Sequence, residues 1–161
     1  MLIMRMRLAV LTLAVGVLMP SVAYADATVF IGRNAAGDDR AVVRGFAIGV
    51  SLLVIGFEFE YGSASEDQTN RTPSLKTSSG NVLFQTFGLP VNLYFTSGAG
   101  VYRERLAIDQ ETAFLINNGG GAKINLAGPL RARVDYRVFN LKGNPRHSTV
   151  QRLYAGLNLA F

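Results

Sequence analysis

From position 26 onward, apolar residues recur at every second position in several segments, although the first and fourth predicted strands show no clear phase, and no segment holds a 3.6-residue period over a helical length. Period two marks a strand whose two faces meet different surroundings. Near the C-terminus, Leu153, Ala155, Leu157 and Leu159 share one face, against Arg152, Tyr154, Gly156, Asn158 and Ala160. After Pro129, the set Leu130, Ala132, Val134, Tyr136 and Val138 opposes Arg131, Arg133, Asp135 and Arg137. Ile55, Phe57, Phe59 and Tyr61 oppose Gly56, Glu58, Glu60 and Gly62, and Phe46, Ile48, Val50 and Leu52 oppose Gly45, Ala47, Gly49 and Ser51. Val91, Leu93, Phe95, Ala99 and Val101 oppose Asn92, Tyr94, Thr96, Gly98, Gly100 and Tyr102. These phases predict eight strands over 26–33, 41–51, 54–63, 80–89, 91–104, 113–127, 129–139 and 149–161. Short turns fall near Leu53, Leu89-Pro90 and Gly128-Pro129, and longer polar stretches at 34–40, 63–79, 105–111 and 140–148. Short connections at one end and long ones at the other describe an antiparallel up-and-down meander whose edge strands must pair with each other.

The composition of the two faces selects the solvent. Charge shares its face with small residues such as Gly45, Ala47, Gly49, Gly56, Gly98, Gly100 and Gly156, while the opposite face is bulky and apolar. A soluble barrel lines its interior with apolar side chains. A transmembrane barrel turns them out to lipid and keeps its interior polar. The expected fold class is therefore all-β, an eight-stranded antiparallel transmembrane β-barrel. Closure satisfies every backbone group within the hydrocarbon.

The N-terminus follows a different rule. Arg5 and Arg7 precede an apolar run from Leu8 to Met19, which Pro20 breaks before Ala23-Tyr24-Ala25. A basic start, a short apolar stretch and an A-x-A site describe a cleavable signal peptide at 1–25, leaving a barrel domain at 26–161. The run is too short to span a bilayer, which takes about 20 apolar residues. Loss of Arg5 and Arg7 lowers the formal net charge from +5 to +3, and export removes nucleic acid as a partner. The chain is 49% hydrophobic and 17% charged, against about 25% charged in soluble domains. With no Cys and one His, neither a metal site nor a cofactor is expected.

The terminal Tyr154-Ala-Gly-Leu-Asn-Leu-Ala-Phe161 and the segment Gly119-Gly-Gly-Ala-Lys-Ile-Asn-Leu-Ala-Gly-Pro-Leu-Arg-Ala-Arg-Val-Asp-Tyr-Arg-Val-Phe139 resemble the small eight-stranded outer-membrane barrels of Gram-negative bacteria, the OmpA-like and OmpX-like family. The resemblance implies residence in the bacterial outer membrane, contact with its lipid and lipopolysaccharide, and a role in envelope integrity or surface interaction. It also implies that Leu153, Leu157, Leu159 and Phe161 form the signal read by the barrel-assembly machinery.

An eight-stranded barrel is just wide enough for side chains to fill. Charges on the inward phase should therefore pair across it. Glu58 and Glu60 on the third strand face Arg133, Asp135 and Arg137 on the seventh at similar depth, with Lys123, Arg131 and Arg152 on neighbouring strands. These residues predict an ion-pair plug, with Tyr94, Tyr102 and Tyr154 available to surplus cations. At the loops, Arg33, Arg40, Arg71, Lys76, Arg103, Arg105, Lys142 and Arg146 mix with Asp38, Asp39, Glu66, Asp67, Glu104, Asp109 and Glu111, so no single-sign field is expected. Arg103 and Arg105 are candidates for lipopolysaccharide phosphates, and loop 63–79 is the expected place for an extracellular ligand. The expected protein is not an enzyme. A lipid A deacylase would draw on His147 and Ser148, but they are adjacent and point to opposite faces of a strand, and no acid follows to orient the imidazole. A narrow ion or solute channel is the other alternative.

Overall fold

The structure, a computed structural model, describes residues 23–67, 72–86 and 88–161. Residues 1–22 of the predicted signal peptide, and Arg71, lie outside the described residues. Eight strands follow in order: β1 (Ala23–Ala36), β2 (Asp39–Leu52), β3 (Ile55–Ala64), β4 (Ser74–Gln85), β5 (Val91–Leu106), β6 (Asp109–Ala127), β7 (Leu130–Leu141) and β8 (Thr149–Ala160). Each pairs antiparallel with its neighbours, and β1 pairs with β8 to close the barrel. At the seam, Ala25 and Phe161 exchange both backbone hydrogen bonds at 2.9 Å. No edge is left open to solvent or lipid.

The alternation holds as predicted. Phe57, Phe59, Leu93, Phe95, Val134, Leu153 and Leu157 face outward and remain about half exposed, while Glu58, Glu60, Arg133, Asp135, Arg137 and Arg152 are buried inside. Ala23 to Ala25, the last residues of the predicted signal peptide, open β1 opposite Val50 to Leu52.

The connections differ from expectation. The polar stretches at 34–40 and 105–111 are not loops. Strands run through them to the two-residue turns Gly37-Asp38 and Ala107-Ile108. The predicted loop 63–79 contracts to 65–73, and Asp67 and Thr72 bridge within it. The reason is that a ladder satisfies its backbone through the neighbouring strand whatever its side chains are. Polarity marks where a strand leaves the hydrocarbon and says nothing about where it ends. A strand of about 9–11 residues spans the bilayer, and β5 and β6, at 16 and 19 residues, extend well beyond that. Each two-residue turn begins on a positive φ: Gly37, Leu53, Ala107 and Gly128. This hand matches the twist of the flanking strands. Glycine adopts it freely, whereas Leu53 and Ala107 do so at a cost.

Candidate functional site

The lumen has three layers. At the turn end, a mouth of about 490 Å³ is lined by Asp26, Ser51, Gln85, Asn92, Asn125 and Arg131, among others. The middle layer holds the ion pairs. Arg133, on β7, reaches across the barrel to Glu58 on β3, with Nη1 2.5 Å from Oε2 and Nη2 3.1 Å from Oε1. Its Nη2 also donates to Asp135 at 3.0 Å. Arg137 bridges Glu58 at 2.8 Å, Glu60 at 3.2 Å and Asp135 at 2.9 Å. Arg152, on β8, holds Glu60 at 3.1 Å and donates to Asn34 and Thr77. Lys123, on β6, pairs with Asp26 at 2.5 Å. Tyr94 donates to Asp135, accepts from Arg133 Nε at 2.7 Å, and lays its ring 4.9 Å from that guanidinium. Tyr154 donates to Glu60 at 3.0 Å. Small wall residues make room for this packing: a Cβ on Gly62 would lie 2.6 Å from the Arg152 guanidinium, and one on Gly121 2.6 Å from the Tyr94 hydroxyl.

Two memberships of the predicted network change. Arg131 is not in it: at the start of β7 it lines the water-accessible mouth and makes no ion pair among the described residues. Asp26 takes part instead, through Lys123. Its phase was illegible in a first strand with no clear alternation. The exchange leaves Lys123, Arg133, Arg137 and Arg152 matched by Asp26, Glu58, Glu60 and Asp135, with no surplus cation. Accordingly Tyr102, expected near such a surplus, donates to the Lys142 carbonyl at 2.6 Å.

The third layer, at the loop end, was not expected. Val43, Ala64, Leu75, Tyr102, Leu115, Phe139, Leu141 and Val150 belong to an apolar cluster inside the barrel. The β7–β8 loop folds over it. Asn144 N donates to Glu111 and Arg146 N to Glu104, while Arg146 Nε and His147 Nε2 both lie 3.0 Å from Asp39 Oδ2. His147 thus meets an acid that precedes it by more than a hundred residues, a proximity no local spacing reveals. It lines the mouth together with the inward-facing Asn34, Ala41, Ala64, Leu75 and Val150.

The mixed rim charge resolves by face, which corrects the expectation of no single-sign field. Asp39, Glu104 and Glu111 turn inward to the loop. Arg33, Arg44, Lys76, Arg103 and Arg105 are exposed on the outward phase of their strands. Arg44, Ser63, Lys76, Arg103 and Thr112 stand on one cross-strand row over β2 to β6. Arg44 was missed from the sequence, although it continues the outward phase of Phe46 and Ile48. Along the chain, the charges of two faces of opposite sign alternate and so cancel within a segment. Phe46 and Tyr61, whose rings lie 5.7 Å apart, occupy the next outward row toward the turn end. Aromatic residues of this kind ring transmembrane barrels at the lipid–water boundary.

Neither a family model nor a curated protein matches the sequence. Solved structures do match the fold. Neisserial surface protein A aligns with a TM-score of 0.68 and 12% identity, covering 86% of this chain and 97% of that one. The N-terminal β-barrel domain of Pseudomonas aeruginosa OprF aligns with a TM-score of 0.64 and 16% identity, over 86% and 97% of the two chains. The outer membrane enzyme PagL aligns with a TM-score of 0.54 and 12% identity, over 83% and 98%. The chain has the fold of the eight-stranded outer-membrane β-barrels, a fold that carries both enzymes and other proteins.

Proposed function

We propose that the chain is a non-catalytic integral barrel of the bacterial outer membrane, closed to solutes by its own side chains, that serves envelope integrity or surface interaction. One observation carries this reading: the outer wall is a band of half-exposed apolar side chains, while the lumen behind it is filled by matched, buried ion pairs. Such a wall is costly in water and stable in lipid. A wall residue such as Leu157 suits hydrocarbon, and an interior residue such as Arg133 suits a filled lumen with no path through it. Residues 1–25 act as the export signal, and the outward Leu153, Leu157 and Leu159 with the terminal Phe161 present the assembly signal. The loop end then lies outside the cell, where the connection between β3 and β4, within the predicted loop 63–79, is the place for an extracellular ligand.

The enzyme alternative is weighed by where His147 points. Its ring faces the barrel mouth and pairs with Asp39, whereas a deacylase acting on a membrane lipid needs its base on the lipid side. Deletion that leaves lipid A acylation unchanged supports the non-catalytic reading, and a changed acyl pattern overturns it. For the barrel and its closed lumen, the purified protein should shift in gel mobility when boiled and should show no steady conductance in a planar bilayer. Stable open-channel currents from the wild type would overturn the closed lumen in favour of a channel.

A further inference from the structure

The outward face of β4 and β5 changes character along its length. At the loop end, Lys76 and Arg103 are direct cross-strand partners and Arg105 is the next outward residue beyond Arg103. None of the three makes an ion pair among the described residues. The carboxylate lining the same surface, Glu66, accepts a hydrogen bond from the Ala107 amide at 3.0 Å. Toward the turn end, Ser78 and Val101 come next, then Gly80 with Ala99, then Val82 with Ser97. Phe57 and Phe59 on β3 and Phe114 and Ile116 on β6 flank these shorter side chains, leaving an open groove of about 680 Å³ in the wall. A Cβ on Gly80 would meet nothing within 4 Å. Ser97 Oγ donates to Asn118 Oδ1 at 2.8 Å, so its hydroxyl is satisfied within the wall. At about 3.3 Å per residue, Gly80 lies about 13 Å along the strand from Lys76.

We propose that this cation cluster and this groove form one site for a phosphorylated membrane glycolipid, with its phosphate on Lys76, Arg103 and Arg105 and one acyl chain in the groove at Gly80, Ser97 and Ala99. The proposal rests on the reading of the wall as embedded in lipid. Charge complementarity and position select the occupant. A soluble polyanion uses the cations and leaves the groove empty. A transmembrane partner segment uses the groove and leaves the cations without a counter-charge. A lipid with a phosphorylated headgroup uses both, because headgroup and chain are joined at the spacing the strands impose. Guanidinium groups suit phosphate oxygens through paired, charge-assisted hydrogen bonds.

The test places the full barrel in nanodiscs containing diphosphorylated lipid A or its dephosphorylated form, with retained lipid counted by native mass spectrometry. The wild type should retain the phosphorylated lipid preferentially. The double variant Lys76→Gln with Arg103→Gln should lose roughly thirtyfold of that preference, at about 1 kcal/mol per surface cation. Gly80→Leu with Ala99→Leu, which fills the groove outward, should lower retention of both lipids alike. Equal retention of the two lipids by the wild type overturns the phosphate site, and undiminished retention by the groove-filled variant overturns the acyl site. A heat-dependent gel shift in the same preparations separates the two levels. If it is absent, the membrane-barrel reading itself fails. If it is present without lipid preference, only the site fails.

Discussion

The two halves of this barrel obey opposite rules. In the middle of the wall, Phe57 and Phe59 face out while Glu58 and Glu60 face in. At the loop end, the cations Arg44, Lys76 and Arg103 face out, and their chain neighbours Val43, Leu75 and Tyr102 face in and are buried. The alternation is unbroken; only the assignment of apolar and charged residues to the faces is exchanged. The difference teaches where each solvent lies. A wall in hydrocarbon must be apolar outside, which leaves the narrow interior to polar groups that satisfy one another. A wall in water gains by burying apolar groups inside, as any soluble domain does. The exchange falls between the row of Phe46 and Tyr61 and the row of Arg44, Ser63, Lys76 and Arg103.

Four perturbations break or sharpen this comparison. The largest effect is expected in the middle layer. Arg133→Met removes one of the two guanidinium groups that Glu58 and Asp135 share, leaving Arg137 to hold both, and loss of one partner of a buried pair costs about 3–5 kcal/mol. Urea unfolding in detergent or vesicles should show it. A cost under about 1 kcal/mol would mean that the network contributes packing and little electrostatics. The apolar layer comes next. Leu115→Ala, at a fully buried position, should cost about 2–5 kcal/mol in the same assay, and it should leave lipid preference untouched because its layer lies behind the wall.

The third perturbation separates the two sets of cations by salt. Raising ionic strength to about 1 M shortens the screening length to about 3 Å. Preference for phosphorylated lipid should fall, while the unfolding midpoint of the enclosed network should move little. If both fell together, the network would be open to water and the lumen not closed. The smallest effect belongs to the turn between β5 and β6. Ala107 has a φ of 53°, so Ala107→Gly should stabilise by about 1 kcal/mol, less whatever glycine adds in chain entropy. Destabilisation would show that the residue contributes more than its backbone angle.

Much of the fold is legible in the sequence because period two is a local property. Phe57, Glu58, Phe59 and Glu60 announce a two-faced strand with no knowledge of what it meets. Glu58 and Arg133 can be assigned to the interior for the same reason, and similar distances from Leu53 and Pro129, five residues and four, place them at similar depth. The misreadings share a cause as well. Residues 34–40 and 105–111 look like loops because they are polar, yet backbone pairing carries the strands through them. Asp26 and Arg131 exchange places because the first strand shows no clear phase and because distance from the barrel mouth is not written in phase.

Taken alone, the sequence determines that most strands have two unlike faces, that the chain suffices for eight of them, and that bulky apolar residues dominate one face over the middle of several. Those facts are set by alternation and composition. Only the tertiary structure decides which face is enclosed at each level, because closure alone brings β1 against β8 and β3 across from β7. The register of consecutive strands gathers Arg44, Lys76 and Arg103, far apart in the chain, into one row, and closure carries Asp39 to His147. Charges scattered through a sequence acquire a sign as a surface only when the strands that carry them are laid side by side.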